Sequence, residues 1–381
     1  MVKILEVGVC CAGIPETFAD ALDTEHLKFS DNPFGYQANK QIRLIKKRGY
    51  ITDRIPNVIR KHWKSAHDFE NSITYFHDYL DIINKYDILH LHFGSVLPLG
   101  LDMKHYKDIE TYIHLHGNDI RGKPNRMKYY KDAERIFVST PDLINHTMDI
   151  GELCLNPFDI NKYPEVGING DNKTLYIVHA PSTPSKKGTE NIKHAFKTIE
   201  RIYSNVKTEV ITNKKHKEII EAFKNADIVV DWANMDYGIY GVTSLEAMSL
   251  GKPVICTINE EYDKYYPGCP IYKLRNDDVR SIIRAIDTLI ENPDMRVELG
   301  KMGREYVRNV HNIDTIIQQV FGKAYEQEQV RIKREEEEEE EEEALLKVEE
   351  EESKVDDELE ELIIEFSKCD TETSTEGEID K

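Results

Sequence analysis

The stretch from Ala226 to Cys256 reads A-D-I-V-V-D-W-A-N-M-D-Y-G-I-Y-G-V-T-S-L-E-A-M-S-L-G-K-P-V-I-C, and it constrains the fold more than any other part of the chain. It reads as strand, loop, helix, turn, strand. Ile228-Val229-Val230 is a short apolar run of the kind that a strand covered on both faces needs. Gly238 and Gly241 let the next loop bend and let a ligand approach the backbone. Val242 to Leu250 has helical spacing, Gly251 stands where a left-handed C-cap is wanted, and Pro253 stops the helix. Val254-Ile255 then opens a second buried strand. Repeated units of this kind build a parallel sheet with crossover helices, which predicts an α/β chain.

Glu246 stands out within this unit. On a helical wheel Leu245, Ser249, Val242, Glu246 and Leu250 form one stripe, so the carboxylate lies on the inward side. A carboxylate there needs hydrogen-bond donors. A glycine-bearing loop running into a helix N-terminus suits a phosphate, and a carboxylate one turn further in can accept two hydrogen bonds from a sugar diol. The competing reading is a glutamate paired with a nearby lysine at the edge of the core.

The segment E-A-M-S-L-G-K-P-V-I after a glycine-rich loop resembles the donor-site signature of glycosyltransferase family 4 (glycosyl transferases group 1). That family has the GT-B architecture, two doubly wound Rossmann-like domains facing across a cleft. Two further segments resemble the same family. H-A-P-S-T-P-S-K-K-G-T at 179–189 follows the strand candidate Thr174–Ala180, and H-L-H-G-N-D-I-R at 114–121 ends another. The resemblance implies that Lys187, beside Lys186, contacts the diphosphate, that Glu246 binds the ribose diol, and that His116 contacts the donor sugar. It implies backbone contacts from Tyr240, Gly241, Val242 and Thr243, and a glycine-bearing loop at Gly13. Asp119 and Arg121 are cleft candidates.

Two positions depart from the family pattern. Many members carry an arginine five residues before the lysine, where this chain has Ser182. The acidic residue expected eight positions before Glu246 is Gly238. Asp231 and Asp236 are the candidate substitutes. Both departures match the subset of the family that also carries the H-A-P-S loop. The implied chemistry is transfer of a sugar from a nucleoside diphosphate to a hydroxyl of a glycan or lipid-linked glycan, with retention and without metal. The chain has no D-x-D, so no metal ligand and no cofactor is assigned, the nucleotide sugar being a co-substrate.

The rest of the chain sets limits. Of the net charge of −20, residues from 331 onward carry −17, from 24 acidic against 7 basic side chains, which leaves −3 on the first 330 residues. The folded part therefore gives no charge support to a nucleic-acid partner. Glu335 to Glu343 are nine consecutive glutamates, which repel one another and bury no core. The segment from 331 to 381 is read as a disordered or partly helical acidic tail. Leu359, Leu362, Ile363 and Phe366 have helical spacing within it. Residues 36–66 carry Arg43, Lys46, Lys47, Arg48, Arg54, Arg60, Lys61 and Lys64 with Trp63, either a solvated helix pair or a peripheral membrane patch. Six scattered cysteines without a C-x-x-C pair, an apolar strand directly at the N-terminus and no long apolar run predict a reduced cytoplasmic chain, membrane association at the cytoplasmic face being the variant.

Gly8 and Gly13 have P-loop spacing, but Ile14-Pro15 follows in place of Lys-Ser/Thr, which excludes a P-loop. Asp87–Gly94 and Thr111–Arg121 are strand candidates that each end in H-x-H, so His90 and His92 share a face, as do His114 and His116. Such pairs are metal half-sites and support a rival reading, a metal-dependent hydrolase. A sugar-nucleotide epimerase on the same donor site and a non-catalytic nucleotide-sugar-binding scaffold are the other two. The expected domains are 1–165 for the acceptor, 166–312 for the donor, a helix at 313–330 that crosses back to the first, and the tail.

Overall fold

A computed structural model describes residues 2–8, 13–28, 38–43, 82–92, 109–117, 119–168 and 174–322, together with 326, 330, 333 and 334. The chain divides into two compact units, Met1–Gly322 and Lys323–Lys381. In the second unit the four described residues, Glu326, Val330, Lys333 and Arg334, are helical. The basic stretch after Arg43, the glutamate run and the apolar heptad around Leu359 lie outside the described residues.

The first unit holds two all-parallel sheets. One has seven strands in the order β3-β2-β1-β4-β5-β6-β7. They are β1 (Ile4–Val7), β2 (Glu25–Lys28), β3 (Gln41–Arg43), β4 (Ile88–His92), β5 (Glu110–Leu115), β6 (Arg135–Val138) and β7 (Glu152–Leu153). The other has five, β12-β11-β10-β8-β9, made of β8 (Leu175–His179), β9 (Val206–Val210), β10 (Ile228–Val230), β11 (Val254–Thr257) and β12 (Tyr272–Leu274). The central strands are buried end to end, as parallel strands between helical layers must be. The chain passes between the sheets through residues 154–174.

Helix α1 (Ile14–Ala21) follows β1. In the second half α2 (Thr189–Ile202), α3 (His216–Asn225) and α4 (Val242–Ser249) each follow a strand, and α5 (Val279–Glu291) and α6 (Pro293–Val310) follow β12. The last helix, α7 (Ile313–Phe321), lies against α1 of the first half. Arg135 donates to the carbonyls of Gln319 (2.9 Å) and Val320 (2.7 Å), satisfying the last turn of α7. Sequence spacing extends this helix to 329; α7 stops at Phe321, where Gly322 takes φ 50°.

The amphipathic stripe expected for Val242–Leu250 is absent, because Ser244 through Ser249 are all buried. Two glycines of α6 explain this. A Cβ on Gly300 would stand 2.2 Å from the Gly251 carbonyl oxygen, and one on Gly303 would stand 3.0 Å from Met248 Cγ. Helix α6 therefore approaches α4 to backbone contact and covers the face a surface helix would leave to water.

Two buried histidines link the layers. His179 bonds the Val230 carbonyl through Nδ1 (2.8 Å) and the Thr189 hydroxyl through Nε2 (2.9 Å). His311 bonds the Asn156 carbonyl through Nδ1 (2.7 Å) and the Tyr240 hydroxyl through Nε2 (2.9 Å). Burial pulls both imidazoles down to about 4 from 6.5. In the unfolded chain each takes up a proton below pH 6.5, and in the folded chain only near pH 4. Each therefore removes stability as the pH falls through that window, by up to about 1.4 kcal/mol per pH unit. Denaturant unfolding of the wild type and of His311→Gln at several pH values between 7 and 4.5 should show the slope reduced by one histidine in the variant. Equal slopes would mean that His311 is protonated in the fold.

Candidate functional site

The loop after β8 and the end of β10 meet at one buried ion pair. Lys187 Nζ lies 2.5 Å from Asp231 Oδ1 and donates to Thr243 Oγ1 at 2.9 Å, and the lysine is only 4% exposed. Ser244 donates to the other oxygen of Asp231 at 2.7 Å. The Trp232 ring lies 5.3 Å from the ammonium. A lysine is brought this deep by Gly188, whose φ of 69° sets the turn and whose missing Cβ would stand 1.9 Å from the Ala233 carbonyl oxygen. The backbone of Lys187 completes the junction, its carbonyl accepting from Ala233 N at 3.1 Å. The half-buried Lys186 is fixed through its carbonyl, which accepts from Asn234 Nδ2 (2.9 Å).

The same pair sets the entrance of α4. Thr243 and Ser244 are residues of its first turn, and Gly241, its N-cap, makes no side-chain cap. Gly241, Val242 and Thr243 are half-exposed, so the amide end of the helix, the Thr243 hydroxyl and the ammonium converge at one accessible point. Tyr240 contributes only backbone here: its ring is buried, with the hydroxyl bonded to Tyr306 (3.0 Å) and His311.

The structure also accounts for the missing acidic residue. Gly238 has φ 57°, a left-handed conformation, and a Cβ on it would stand 2.1 Å from Asn259 Cγ. A glutamate there would have to hold a strained left-handed backbone and displace the Asn259 side chain. Of the two candidate substitutes, Asp236 is exposed in a turn closed by Asn234 Oδ1 (3.0 Å), and Asp231 is committed to Lys187.

Glu246 is 5% exposed and meets a histidine and a tyrosine. His216 Nε2 lies 2.5 Å from Glu246 Oε1, and the Tyr163 hydroxyl lies 3.4 Å from the same oxygen. His216 opens α3 and Tyr163 lies within the inter-sheet segment, so three separate parts of the chain meet at this carboxylate. A cavity continues from Tyr163 to the N-terminus of α1, lined there by Gly13, Ile14 and Thr17 and on the other side by Phe158 and Lys162. Gly13 is the N-cap of α1, with φ 79°.

In the first half, His116 stands at the end of β5, half-buried, with Nε2 turned to His92 Nδ1 at 3.1 Å. Desolvation pulls its pKa down to about 4, against the Asp119 carboxylate, which raises it. Asp119 is buried and accepts from the backbone amides of His116 (3.1 Å) and Gly117 (2.8 Å), so it shapes the loop. Arg121 pairs with Asp142 at 2.5 Å and places its guanidinium 5.3 Å from the Tyr237 ring of the Gly238 loop. This is a direct contact between the H-L-H-G-N-D-I-R loop and the donor-side loop. Glu6, fully buried beside His90 and His92, is pushed up to about 7 by desolvation.

The arrangement brings together Lys187, Asp231 and Thr243, and separately Arg121 and the loop of Gly238. The sequence reading did not assign His216, Tyr163, Ser244, Asp142 or Glu6 to a site. His216 and Tyr163 carry no motif and reach Glu246 only through the fold. The acidity of Asp142 and Glu6 was legible; their partners were not.

Residues 193–306 match the family described as glycosyl transferases group 1. No curated protein matches the chain. Among solved structures, HepE of Anabaena in complex with UDP and glucose aligns with TM-score 0.60 at 13% identity, covering 84% of this chain and 98% of that one. Sucrose-phosphate synthase from Thermosynechococcus elongatus aligns with TM-score 0.60 at 15% identity, over 85% of this chain and 98% of that one. MnaA of S. aureus with UDP aligns at 0.52 and 13%, over 84% and 96%. The chain has the GT-B fold, two Rossmann-like sheets with their helical layers. It carries a glycosyl transferases group 1 domain in its second half and is a glycosyltransferase.

Removing one member of the Lys187–Asp231 pair strands a buried charge. Lys187→Met should cost about 3–5 kcal/mol of stability, and adding Asp231→Asn should recover most of it. Denaturant melts of the two variants measure this, and a double variant no more stable than the single would deny that the charges depend on each other.

Proposed function

We propose that the chain transfers a sugar from a nucleoside-diphosphate sugar to a hydroxyl of a glycan or lipid-linked glycan, with retention at the sugar carbon and with no metal at the transfer site. The observation that carries this reading is the convergence of the Lys187 ammonium, the Thr243 hydroxyl and the exposed N-terminus of α4. A departing diphosphate needs positive charge already in place, and these groups supply it without reorganisation. That HepE and MnaA were crystallised with UDP is consistent with a nucleoside diphosphate as the ligand. Asp231 neutralises part of the ammonium and fixes its direction, so the lysine acts as an oriented donor and not as a mobile charge.

Glu246 accepts from the ribose diol. His216 shares this carboxylate, so the diol takes its place at one oxygen or binds at the other. His116 approaches the donor sugar from the first sheet. Its Nε2 is engaged by His92, so a sugar contact falls to the other edge of the ring. The loop of Arg121 meets that of Gly238 through Tyr237, which closes the reaction space to water. Among the described residues no helix is long and apolar enough to cross a membrane. A lipid-linked acceptor would be met at the cytoplasmic face, through the basic segment 36–66.

Thermal melting of the full chain with a panel of nucleoside diphosphates tests the donor site, with UDP tried first. A ligand at about 100 times its Kd stabilises by about 2.7 kcal/mol, a clear rise in melting temperature. Glu246→Gln should weaken that rise, and His216→Ala should change the affinity while leaving the order of preferred bases intact. A wild type that no nucleoside diphosphate stabilises would sink the donor assignment.

A further inference from the structure

The two H-x-H pairs take no direct part in the chemistry above, apart from the outer edge of His116. The sheet register gathers them. Glu6 pairs with His90 across β1 and β4, and His92 pairs with His114 across β4 and β5. All four side chains project from the same side of the sheet, under α1 and α7, where the Phe18 and Phe321 rings stand 4.8 and 5.3 Å from that of His90. His90, His92 and His114 are completely buried.

Their hydrogen bonding is one-sided. His90 uses Nδ1 toward Glu6 at 2.9 Å, His92 uses Nε2 toward Glu6 at 2.7 Å, and His114 uses Nε2 toward the Cys154 carbonyl at 3.2 Å. Among the described residues, the opposite nitrogens of two of these rings, His90 Nε2 and His114 Nδ1, have no partner. A carboxylate or carbonyl holds the proton on the near nitrogen, which leaves a lone pair on the far one. A buried unmet acceptor costs about 1–3 kcal/mol, and here two stand beside each other. The third far nitrogen, His92 Nδ1, meets His116 Nε2 at 3.1 Å. Imidazoles held at one nitrogen by a carboxylate or a backbone oxygen, with the other nitrogen left to a lone pair, carry the supporting hydrogen bonds of metal-bound histidines.

We propose that His90, His92 and His114 bind one divalent transition-metal ion of the zinc class, with His116 Nε2 as the nearest fourth donor. One ligand nitrogen from each of the three lies within 4.8 Å of the others. Tetrahedral zinc with bonds of about 2.0–2.1 Å sets its nitrogens about 3.4 Å apart, so binding turns the stacked His92 and His114 rings out of parallel and draws their nitrogens together. The ligand set is all imidazole with Glu6 outside it, which suits zinc, nickel or copper and disfavours magnesium or calcium. Burial on every side makes it a structural site with no open position for substrate, so it does not serve the hydrolase reading. Its effect is on β1, β4 and β5, which it fastens together beneath His116.

The test uses the full chain without a histidine tag, unfolded and refolded with zinc or cobalt and then dialysed against chelator. About one equivalent of metal per chain should remain, the cobalt form should show the visible bands of tetrahedral coordination, and the melting temperature should exceed that of metal-free protein. His90→Gln and His114→Gln should each lose the stoichiometric metal while unfolding cooperatively. If these variants do not fold, the wild-type metal count and cobalt spectrum decide. A refolded wild type that retains no metal and gains no stability overturns the site, and the cluster is then a network of shared protons. Metal content is read without nucleotide, so its outcome is independent of the donor site.

Discussion

The second half of this protein depends on one buried ion pair. Lys187 lies in the loop after β8, Asp231 follows the end of β10, and Thr243 and Ser244 begin α4. These segments are distant in sequence and each would be an ordinary turn alone. The pair fixes where α4 starts, and Ser244 fixes which way the carboxylate faces. Neither charge is tolerable there without the other, because a lone ion at this depth would be desolvated with nothing in return. The glycine at 188 follows from the pair, since a lysine can sit under the β10 loop only if the next residue lets the backbones touch.

Much of this was legible in the sequence because it is local. The strand, loop and helix around Ile228–Ser249 follow from apolar runs and glycine positions, and the structure keeps those boundaries to within a residue. The inward placement of Glu246 was also legible, as was the proximity of Lys187 to the site through its motif. The identity of the partners was not. Asp231 and Asp236 were equivalent candidates for the missing acidic residue, and only the fold shows one committed to a lysine and the other exposed in a turn. A helical wheel predicts one buried stripe for α4. It has no access to Gly300 and Gly303, which lie more than 50 residues on and bury the rest.

The first half shows the reverse case. H-x-H on two strands is a conspicuous pattern, and the sequence reading weighed it as two metal half-sites. The completing residues were the pairs themselves. Parallel pairing sets His92 opposite His114 and His90 opposite Glu6, and the carboxylate comes from β1, the first strand of the chain. Register is a tertiary property: a slip of one residue would turn every one of these side chains to the other face. The sequence supplied the periodicity on each strand and not the offset between strands.

The two halves then differ in how they hold polar groups. In the second half Lys187 and Asp231 face each other, and the buried Lys252 and Arg296 donate to backbone carbonyls. In the first half the Glu6 carboxylate meets two of three fully buried imidazoles, and burial makes both kinds of group resist ionisation, Glu6 upward to about 7 and His90 downward to about 3. A neutral core of this kind is stable only if its lone pairs are met. His116 sits at the border, with Nε2 tied inward to that core and its loop tied by Arg121 to the ring of Tyr237 on the donor side. The position of His116 is thus set by the polar core beneath it. Any change that loosens Glu6, His90 or His114 would therefore reach His116 before it reached Lys187 or Glu246.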